Sequence, residues 1–314
     1  MYSKILVTGG TGLLGNGIKA IAGKYPESEF VFVGSKDCNL TRLDETLSFV
    51  GRCGPDAIIH TAALAGGIQY SKKYPATLLR DNVLMNFNVL EAARLKGVQK
   101  TIMTLSTGMY PANAPDPIKE EYIHDGSPHE SNYGYSFAKR LIEPCIRAYR
   151  TEYGMNVIGL VSNGIFGENA NFRQEESVMV AALIRRFYEA RNSSEKIVIW
   201  GDGSPLREYT YSKDMARAFM WCLYHYNDAQ ILHVGSTEEH SVRETAYMIA
   251  AILGIDPGRI VFDASKPAGI AKKSTDNSRF LKLSGFQYTP FRVGLEHTIR
   301  WFRENYDSPG RVRL

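Results

Sequence analysis

Three residues of this chain have the types and spacing needed to reduce a carbonyl group: Ser106, Tyr135 and Lys139. Tyr135 and Lys139 are four positions apart, so on a helix they lie one turn apart on the same face. A phenol has a pKa of ~10, and a nearby ammonium stabilises the phenolate and lowers that pKa. The pair could therefore give a proton to a carbonyl oxygen that Ser106 hydrogen-bonds. The same spacing also fits a packed tyrosine and a solvated lysine.

A glycine-rich stretch near the start of the chain could hold the dinucleotide that such a reduction needs. Gly9, Gly12 and Gly15 follow the apolar run 5–7 and open a helical pattern. Glycine lets the backbone approach a pyrophosphate closely, and the first amides of the helix carry partial positive charge. The spacing is one residue wider than the G-x-G-x-x-G of other dehydrogenases. We expect cofactor contacts from Gly9, Thr11, Gly12, Leu13 and Leu14.

The residues after the second apolar run, 30–33, indicate which dinucleotide is bound. Enzymes that select NAD usually place an acidic side chain there for the ribose 2′-hydroxyl, whereas small or basic residues accommodate a 2′-phosphate. This chain has Gly34, Ser35 and Lys36. The pattern favours NADPH, with Ser35 and Lys36 as phosphate contacts and Asp37 beside them as a further cofactor residue. The alternative is that Lys36 is simply solvated, as most surface lysines are.

Composition narrows the class of protein. At 314 residues, 44% of them hydrophobic, the chain is long enough for a large core and for one or two domains. Its net charge of +4 is too small to indicate nucleic-acid binding, although it suits an anionic nucleotide substrate. Its four cysteines have no C-x-x-C spacing, so we expect neither a metal site nor a disulfide framework. Without a signal-like start or a long apolar span, we expect a cytoplasmic protein with no membrane partner.

Strand-like runs alternate with helical stretches in the first half of the chain. The runs are 5–7, 30–33, 57–60, 101–105 and 156–161, and the helical stretches include 85–96 and 135–153. This alternation predicts parallel strands joined by helical crossovers, and thus an α/β fold with a doubly wound sheet of the Rossmann type. We assign 1–163 to a dinucleotide-binding domain, to which 208–236 return with a strand at 231–234. The remaining residues, 164–207 and 237–314, form a smaller substrate lobe.

Motifs along nearly the whole chain carry a family resemblance. Besides the glycine loop and 135–139, they are Ala62-Ala63, Tyr74-Pro75, Asn82, 106–111, Asn171-Phe172, Trp200-Gly201, Arg207-Glu208 and 262–267. With these motifs the chain resembles the extended short-chain dehydrogenases/reductases, and among them the GDP-L-fucose synthase family. By this resemblance we expect an enzyme that acts at C3, C4 and C5 of a GDP-4-keto-6-deoxy sugar, with epimerase and NADPH-dependent reductase steps.

The resemblance implies contacts for substrate, cofactor and partner. Guanidinium groups pair with a pyrophosphate, a tryptophan stacks on a ring and a carboxylate accepts sugar or base protons. The alternative is that the two arginines named below are ordinary surface residues and that the tryptophan belongs to the core. A homodimer formed through helices 85–96 and 135–153 is also implied. The implied GDP-sugar residues are Arg186, Trp200, Arg207 and Asp276, and the further cofactor residues are Ala62, Leu105, Lys139 and Asn163.

Two positions depart from the family pattern. The family pairs a cysteine, which follows the active-site serines, with a histidine at the start of a helix in the second lobe, and this pair epimerises C3 and C5. Here those positions are Gly108 and Val178, which with Thr107 would line the sugar site. Inverting a carbon beside a ketone requires a proton to be removed and returned by groups of suitable pKa. Neither glycine nor valine has a proton to move.

We therefore expect a GDP-4-keto-6-deoxy sugar, hexose or heptose, to be reduced at C4 without epimerisation. The first alternative is a 3,5-epimerase/4-reductase whose acids come from residues such as His124, His129 or Cys145. A dehydratase or 4-epimerase is less favoured, because a dehydratase needs a carboxylate after the serine, where this chain has Thr107 and Gly108. A nucleotide-sensing regulatory protein is also less favoured, since such proteins generally lose the tyrosine and lysine pair.

Overall fold

The structure, a computed structural model, describes residues 1–173, 176–266 and 271–314. Pro267, the last residue of one family motif, lies outside the described residues. The strands are β1 (Lys4–Thr8), β2 (Glu29–Val33), β3 (Ala57–His60), β4 (Lys100–Ser106), β5 (Val157–Ser162), β6 (Gly164–Phe166), β7 (Ile197–Trp200), β8 (Leu206–Tyr211), β9 (Leu232–His233), β10 (Glu239–Ser241) and β11 (Ile260–Asp263). The helices are α1 (Leu13–Ile21), α2 (Leu43–Cys53), α3 (Ile68–Lys73), α4 (Pro75–Leu95), α5 (Tyr133–Arg140), α6 (Ile142–Tyr153), α7 (Met179–Ala190), α8 (Ser212–His225), α9 (Val242–Leu253), α10 (Ser278–Ser284) and α11 (Phe291–Asn305).

The largest sheet is parallel and is covered by helices on both faces. Its strand order is β2-β1-β3-β4-β5-β9. Alternate residues of β1 face opposite layers: Ile5 and Val7 belong to the cluster that contains Phe219 of α8, and Leu6 to the cluster that contains Val89 of α4. This alternation buries both faces of the sheet. The predicted doubly wound α/β fold is confirmed.

The second half of the chain builds a smaller lobe and then returns to the large sheet. The lobe contains a three-stranded sheet, β10-β8-β6, and a two-stranded sheet, β11-β7. Its core is aromatic, with Phe172, Phe187 and Phe302 fully buried. As predicted for 231–234, β9 pairs in parallel with β5. The exact limits of the two lobes stay a prediction.

Within the described ranges, no helix has the length and apolarity needed to span a bilayer.

Two predicted helices have different limits. The predicted helix 85–96 is only the second half of α4, which begins ten residues earlier with Pro75 in its first turn. The predicted helix 135–153 is two helices, α5 and α6, with Leu141 between them. Pro144 explains that break, because it has no N–H to donate to the carbonyl of Arg140 and its ring clashes with that carbonyl.

Candidate active site

The glycine loop between β1 and α1 is so tight that three of its glycines, Gly9, Gly10 and Gly15, have no room for a side chain. Gly9 has a φ of 68°, and a Cβ on it would lie 2.6 Å from the backbone nitrogen of Ala62. A Cβ on Gly15 would collide with the carbonyl oxygen of Gly9. Gly12 is the N-cap of α1, which has neither a side-chain cap nor an acidic residue in its first turn. The first amides of the helix are therefore left for an anion.

A cleft of about 380 Å³ lies beside this loop, where β1, β2 and β3 end. Ligands of open α/β sheets bind at this edge. Together with the glycine cradle, the cleft fits a dinucleotide. Five predicted cofactor residues line it: Gly9, Thr11, Gly12, Ser35 and Ala62. Sequence reasoning missed other lining residues because they belong to no recognisable motif: Asn39, Leu40, Thr41, Asp81, Met85 and Arg313.

Several predicted cofactor residues do not line this cleft. Lys36 is exposed. The Asp37 carboxylate accepts a hydrogen bond from the Gly34 nitrogen at 2.8 Å, which fixes the turn after β2. For these residues, cofactor contact stays a prediction. The same holds for three leucines whose side chains pack into apolar clusters: Leu13, Leu14 and Leu105.

The side chain of Asn163 is bonded within the protein. Its oxygen accepts a hydrogen bond from Thr210 at 2.7 Å, and its nitrogen donates to the Ser236 carbonyl at 2.7 Å and to Glu208 at 3.3 Å. Burial raises the pKa of Glu208, which also accepts a hydrogen bond from Thr275 at 2.7 Å. Asn163 thus joins the end of β5 to β8. Its contact with a cofactor stays a prediction.

Ser106, Tyr135 and Lys139 meet at the end of β4. Ser106 is the last residue of that strand, and its hydroxyl accepts a hydrogen bond from the Gly108 nitrogen at 3.2 Å. Tyr135 and Lys139 lie one turn apart on α5, with the ammonium 5.9 Å from the centre of the tyrosine ring. Lys139 is buried and donates to the Thr104 carbonyl at 2.8 Å, and Ser106 hydrogen-bonds the phenol. A carbonyl-reducing site needs these three groups side by side.

Burial dominates the electrostatics of the Tyr135 and Lys139 pair. It raises the pKa of Tyr135, and the hydrogen bond with Ser106 opposes that rise only in part. Burial also lowers the pKa of Lys139 to about 8. The prediction that the ammonium brings the phenol pKa below its ordinary value is wrong for the protein alone, because desolvation disfavours the phenolate more strongly. Tyr135 is therefore protonated at neutral pH and can act as an acid.

A chain of buried hydrogen bonds connects the end of β1 to α5, the helix that carries Tyr135 and Lys139. Thr8 Oγ1 lies 2.7 Å from His60 Nδ1, and His60 Nε2 lies 3.0 Å from Asn86 Oδ1. Asn86 in turn donates to the Ala138 carbonyl of α5 at 3.4 Å. Burial, with a smaller effect from Lys139, lowers the pKa of His60 to about 3, so the ring is neutral. Since Asn86 Oδ1 can only accept, Nε2 carries the ring proton.

The four residues predicted to bind the GDP-sugar lie around the second lobe. Arg186 on α7 is exposed and donates to a carbonyl of β7 at 2.7 Å. Trp200, at the end of β7, is 56% exposed, so it is available for stacking and is not a core tryptophan. Arg207 on β8 is partly buried, and burial lowers its pKa. Asp276 accepts a hydrogen bond from the Ser278 nitrogen at 2.9 Å, just before α10. Their substrate contacts stay predictions.

Sequence reasoning missed one basic residue of this region. Segment 271–275 runs beside β8, joined by a hydrogen bond from Leu206 to Ala271 at 2.8 Å and by those of Thr275 to Glu208. Lys273 lies between these contacts, and burial lowers its pKa to about 8. A desolvated cation costs free energy unless an anion pairs with it. The segment has neither helical nor strand periodicity, so no pattern pointed to Lys273.

Known proteins share both the sequence and the fold. Residues 5–235 match the NAD dependent epimerase/dehydratase family. The GDP-L-fucose synthase of Dictyostelium discoideum is 35% identical over 309 residues, which cover 97% of this chain and 96% of that protein. A GDP-L-fucose synthetase from Naegleria fowleri bound to NADP has a TM-score of 0.92 and 34% identity, covering 99% of this chain and 96% of that chain.

A reductase shares the fold at lower identity. The GDP-6-OMe-4-keto-L-xylo-heptose reductase from C. jejuni has a TM-score of 0.90 and 24% identity, covering 96% of this chain and 98% of that chain. At this identity the likeness concerns the fold alone. The family match and the 35% identity over almost the whole length show the family as well as the fold. This chain belongs to the NAD dependent epimerase/dehydratase family, the extended short-chain dehydrogenases/reductases.

Proposed function

We propose that this chain is an NADPH-dependent oxidoreductase that reduces the C4 ketone of a GDP-linked 4-keto-6-deoxy sugar and leaves C3 and C5 unchanged. The sugar is a hexose or a heptose. Similarity to GDP-L-fucose synthases, one of them bound to NADP, supports the cofactor and the substrate class. The arrangement of Ser106, Tyr135 and Lys139 supports the reduction. The loss of epimerisation depends on Gly108 and Val178.

The observation that carries the proposal is that residue 108 has room for a side chain and is glycine. A Cβ on Gly108 would lie 3.5 Å from both Asn132 Nδ2 and Ser106 Oγ, which is ordinary van der Waals contact. Neither space nor a left-handed backbone requires glycine here. The position adjoins the hydroxyl that would hold the C4 oxygen, so an acid or base here would be close to a neighbouring carbon. Glycine offers neither.

The second position, Val178, also lacks a proton to exchange. It is the N-cap residue of α7, and its side chain is 46% exposed. Epimerisation needs one group to remove a proton and another to return it. With both positions non-titratable and the three reducing residues intact, a reductase is favoured over a combined epimerase and reductase.

The three reducing residues have separate parts in the reaction. NADPH, when bound, supplies a hydride to C4. Ser106 donates a hydrogen bond to the C4 oxygen, and Tyr135, protonated because burial raises its pKa, gives that oxygen its proton. Lys139 is anchored to the Thr104 carbonyl, and its ammonium stabilises the phenolate that this transfer leaves. We also expect Lys139 to hold the nicotinamide ribose.

The alternative is a 3,5-epimerase/4-reductase, which the names of the relatives favour. Of its candidate acids, His124 pairs with Glu143 at 2.9 Å, and Cys145 is buried with its pKa raised to about 11. His129 caps the short helix Glu130–Asn132, whose last residue borders Gly108. His129 is therefore the candidate whose chain neighbours come nearest to the sugar site.

The reaction in D₂O decides between the two functions. The substrate is a GDP-4-keto-6-deoxy sugar with NADPH and limiting enzyme, and the product is analysed by NMR. We expect no deuterium at C3 or C5 beyond a control without enzyme, and retained configuration at both carbons. Enzyme-dependent deuterium at either carbon would establish the alternative, and its loss in His129→Gln would then identify the acid. Absence of any C4 reduction would overturn both functions.

We further propose a cytoplasmic homodimer. The four cysteines are free, which is typical of a reducing compartment. An apolar groove between α4 and the α5 and α6 pair would be covered by the same helices of a second copy.

We propose that the small-molecule partner is a GDP-linked 4-keto sugar, the substrate. We propose no nucleic-acid partner and no membrane partner.

A further inference from the structure

The cofactor cleft contains a basic side chain that no motif accounts for, that of Arg313. Of the lining residues that the structure describes, Asp81 and Arg313 are the charged ones. Asp81 is paired with Arg80, with nitrogen and oxygen 2.7 Å apart. Lys36, the cation expected from the sequence, is not in the lining. The pyrophosphate of a dinucleotide brings two negative charges into this cleft, and of the described lining residues Arg313 is the cation.

The backbone around Arg313 is fixed to the second lobe. Val312 is only 7% exposed and belongs to the apolar cluster that contains Phe172. The Phe172 nitrogen donates to the Arg313 carbonyl at 2.9 Å, and Asn171 and Arg313 form a bridge. A residue held in this way loses little further freedom when a ligand binds, which favours affinity.

The guanidinium has capacity left for an anion. It donates to the Asn169 carbonyl, and a guanidinium carries five N–H donors. The charged groups that face it are Arg173 and Glu176. Glu176 is already engaged by Arg173 at 3.4 Å and by Asn171 at 2.9 Å. In the three described ranges of the chain, no carboxylate forms an ion pair with Arg313.

The position of Arg313 indicates which phosphate it meets. Leu13, the first residue of α1, packs against the cluster that contains Phe172 and Val312. Arg313 thus lines the same cleft as Gly9, Thr11 and Gly12, and the residue before it belongs to the cluster against which α1 begins. We propose that Arg313 is a ligand of the cofactor pyrophosphate, donating to its oxygens in the cleft that the glycine loop also lines.

This proposal concerns the cofactor and not the sugar, so it can fail while the reductase function stands. A guanidinium fork suits two neighbouring phosphate oxygens, and the α1 amides would hold further oxygens of the same group. The 2′-phosphate is expected elsewhere, beside Ser35 at the end of β2. A pyrophosphate ligand should therefore affect NADPH and NADH alike.

The test measures cofactor binding by calorimetry, without any sugar. We compare the unchanged protein with Arg313→Gln, with Arg313→Lys, and with the matched control Arg311→Gln, an exposed arginine two residues away. Losing a charge-assisted hydrogen bond should weaken binding by about tenfold to a hundredfold. We expect that loss for both NADPH and NADH in Arg313→Gln, a smaller loss in Arg313→Lys, and none in Arg311→Gln.

Two further readouts separate binding from folding. The thermal unfolding midpoint without cofactor should change little in Arg313→Gln, and the salt dependence of the NADPH Kd should become less steep because one charge contact is missing. An unchanged Kd for both dinucleotides would overturn the proposal. Weakening of NADPH alone would also overturn it, because that result would assign Arg313 to the 2′-phosphate. A lowered midpoint with unchanged Kd would show a structural role only.

Discussion

Tyr135 is the residue whose change tests the chemistry most directly. Tyr135→Phe keeps the ring and removes the proton that the C4 oxygen should receive. We expect turnover to fall by ~10²–10⁴ while the Kd for NADPH changes little. Lys139→Met should reduce turnover and also weaken NADPH, because the ammonium is expected to contact the ribose. Steady-state kinetics and calorimetric titration measure the two effects. Most of the activity surviving in Tyr135→Phe would mean that the three residues are structural.

At the residue scale, candidate site residues that form a spaced motif can be predicted from the sequence, whereas an isolated residue that reaches the site through tertiary contacts cannot. Tyr135 and Lys139 could be placed from their spacing, and Ser106 from its position after an apolar strand, because helix and strand geometry fixes where such residues point. Arg313 could not be placed, because it reaches the cleft through a tertiary contact with Asn171 and Phe172 that no local pattern encodes. The local pattern at Lys36 predicts a phosphate contact, but the side chain is exposed and not in the cleft lining, so this contact stays a prediction.

At the scale of elements, α4 and the pair α5 and α6 carry exposed apolar side chains that the proposed dimer would bury. Phe87 on α4 is 37% exposed, and Phe137 and Leu141 beside it in the fold are 42% and 39% exposed. Burying such side chains stabilises association by roughly 25 cal/mol for each Å² removed from water. Phe87→Glu would bury a charge in that interface, which costs several kcal/mol.

We therefore expect light scattering to give a dimer for the unchanged protein and a monomer for Phe87→Glu. The matched control is Leu283→Glu on α10, a leucine that is 52% exposed and far along the chain from these helices. That variant should remain a dimer. A monomeric unchanged protein at micromolar concentration would contradict the proposed assembly, as would a Phe87→Glu variant that stays dimeric.

Strand limits can be predicted closely where a strand is fully buried. The strand β3 has the predicted limits, 57–60, because a fully buried parallel strand reads as a continuous apolar run. The first half of α4 escaped prediction because one of its buried residues is Asn82, whose amide donates to the Leu78 and Leu64 carbonyls. Polar residues on the inner face remove the apolar periodicity from which a helix is predicted.

At the scale of the whole molecule, two buried neutral histidines tie distant parts of the chain together. His60 joins β1 and β3 to α4, and His233 lies with Nε2 2.6 Å from the Tyr110 hydroxyl and Nδ1 3.1 Å from the Asp276 carbonyl. Burial lowers the pKa of His60 to about 3 and that of His233 to about 4. No sequence pattern distinguishes such histidines from exposed ones, since their burial results from the packing of separate elements.

These pKa shifts predict a loss of stability in mild acid. The folded-state pKa values lie below the value of ~6.5 for an unfolded histidine, so the unfolded chain takes up protons that the folded protein does not. The stability contributed by each ring is complete above pH ~6.5 and is lost as the pH falls toward its folded-state pKa. At pH ~5 the loss amounts to ~2 kcal/mol for each histidine. Glu208 acts in the opposite direction, because burial raises its pKa.

A comparison between variants separates the contribution of His60 to acid destabilisation from that of opposing groups such as Glu208. Urea unfolding measured at pH 7 and at pH 5 gives the change in unfolding free energy for the unchanged protein, for His60→Gln and for the exposed control His297→Gln. His60→Gln should be less stable at pH 7, because Thr8 and Asn86 lose their partner, yet its loss on acidification should be smaller by ~2 kcal/mol. His297→Gln should follow the unchanged protein at both pH values. Equal losses in all three would mean that His60 titrates alike in the folded and unfolded states, and that its burial does not keep the ring neutral.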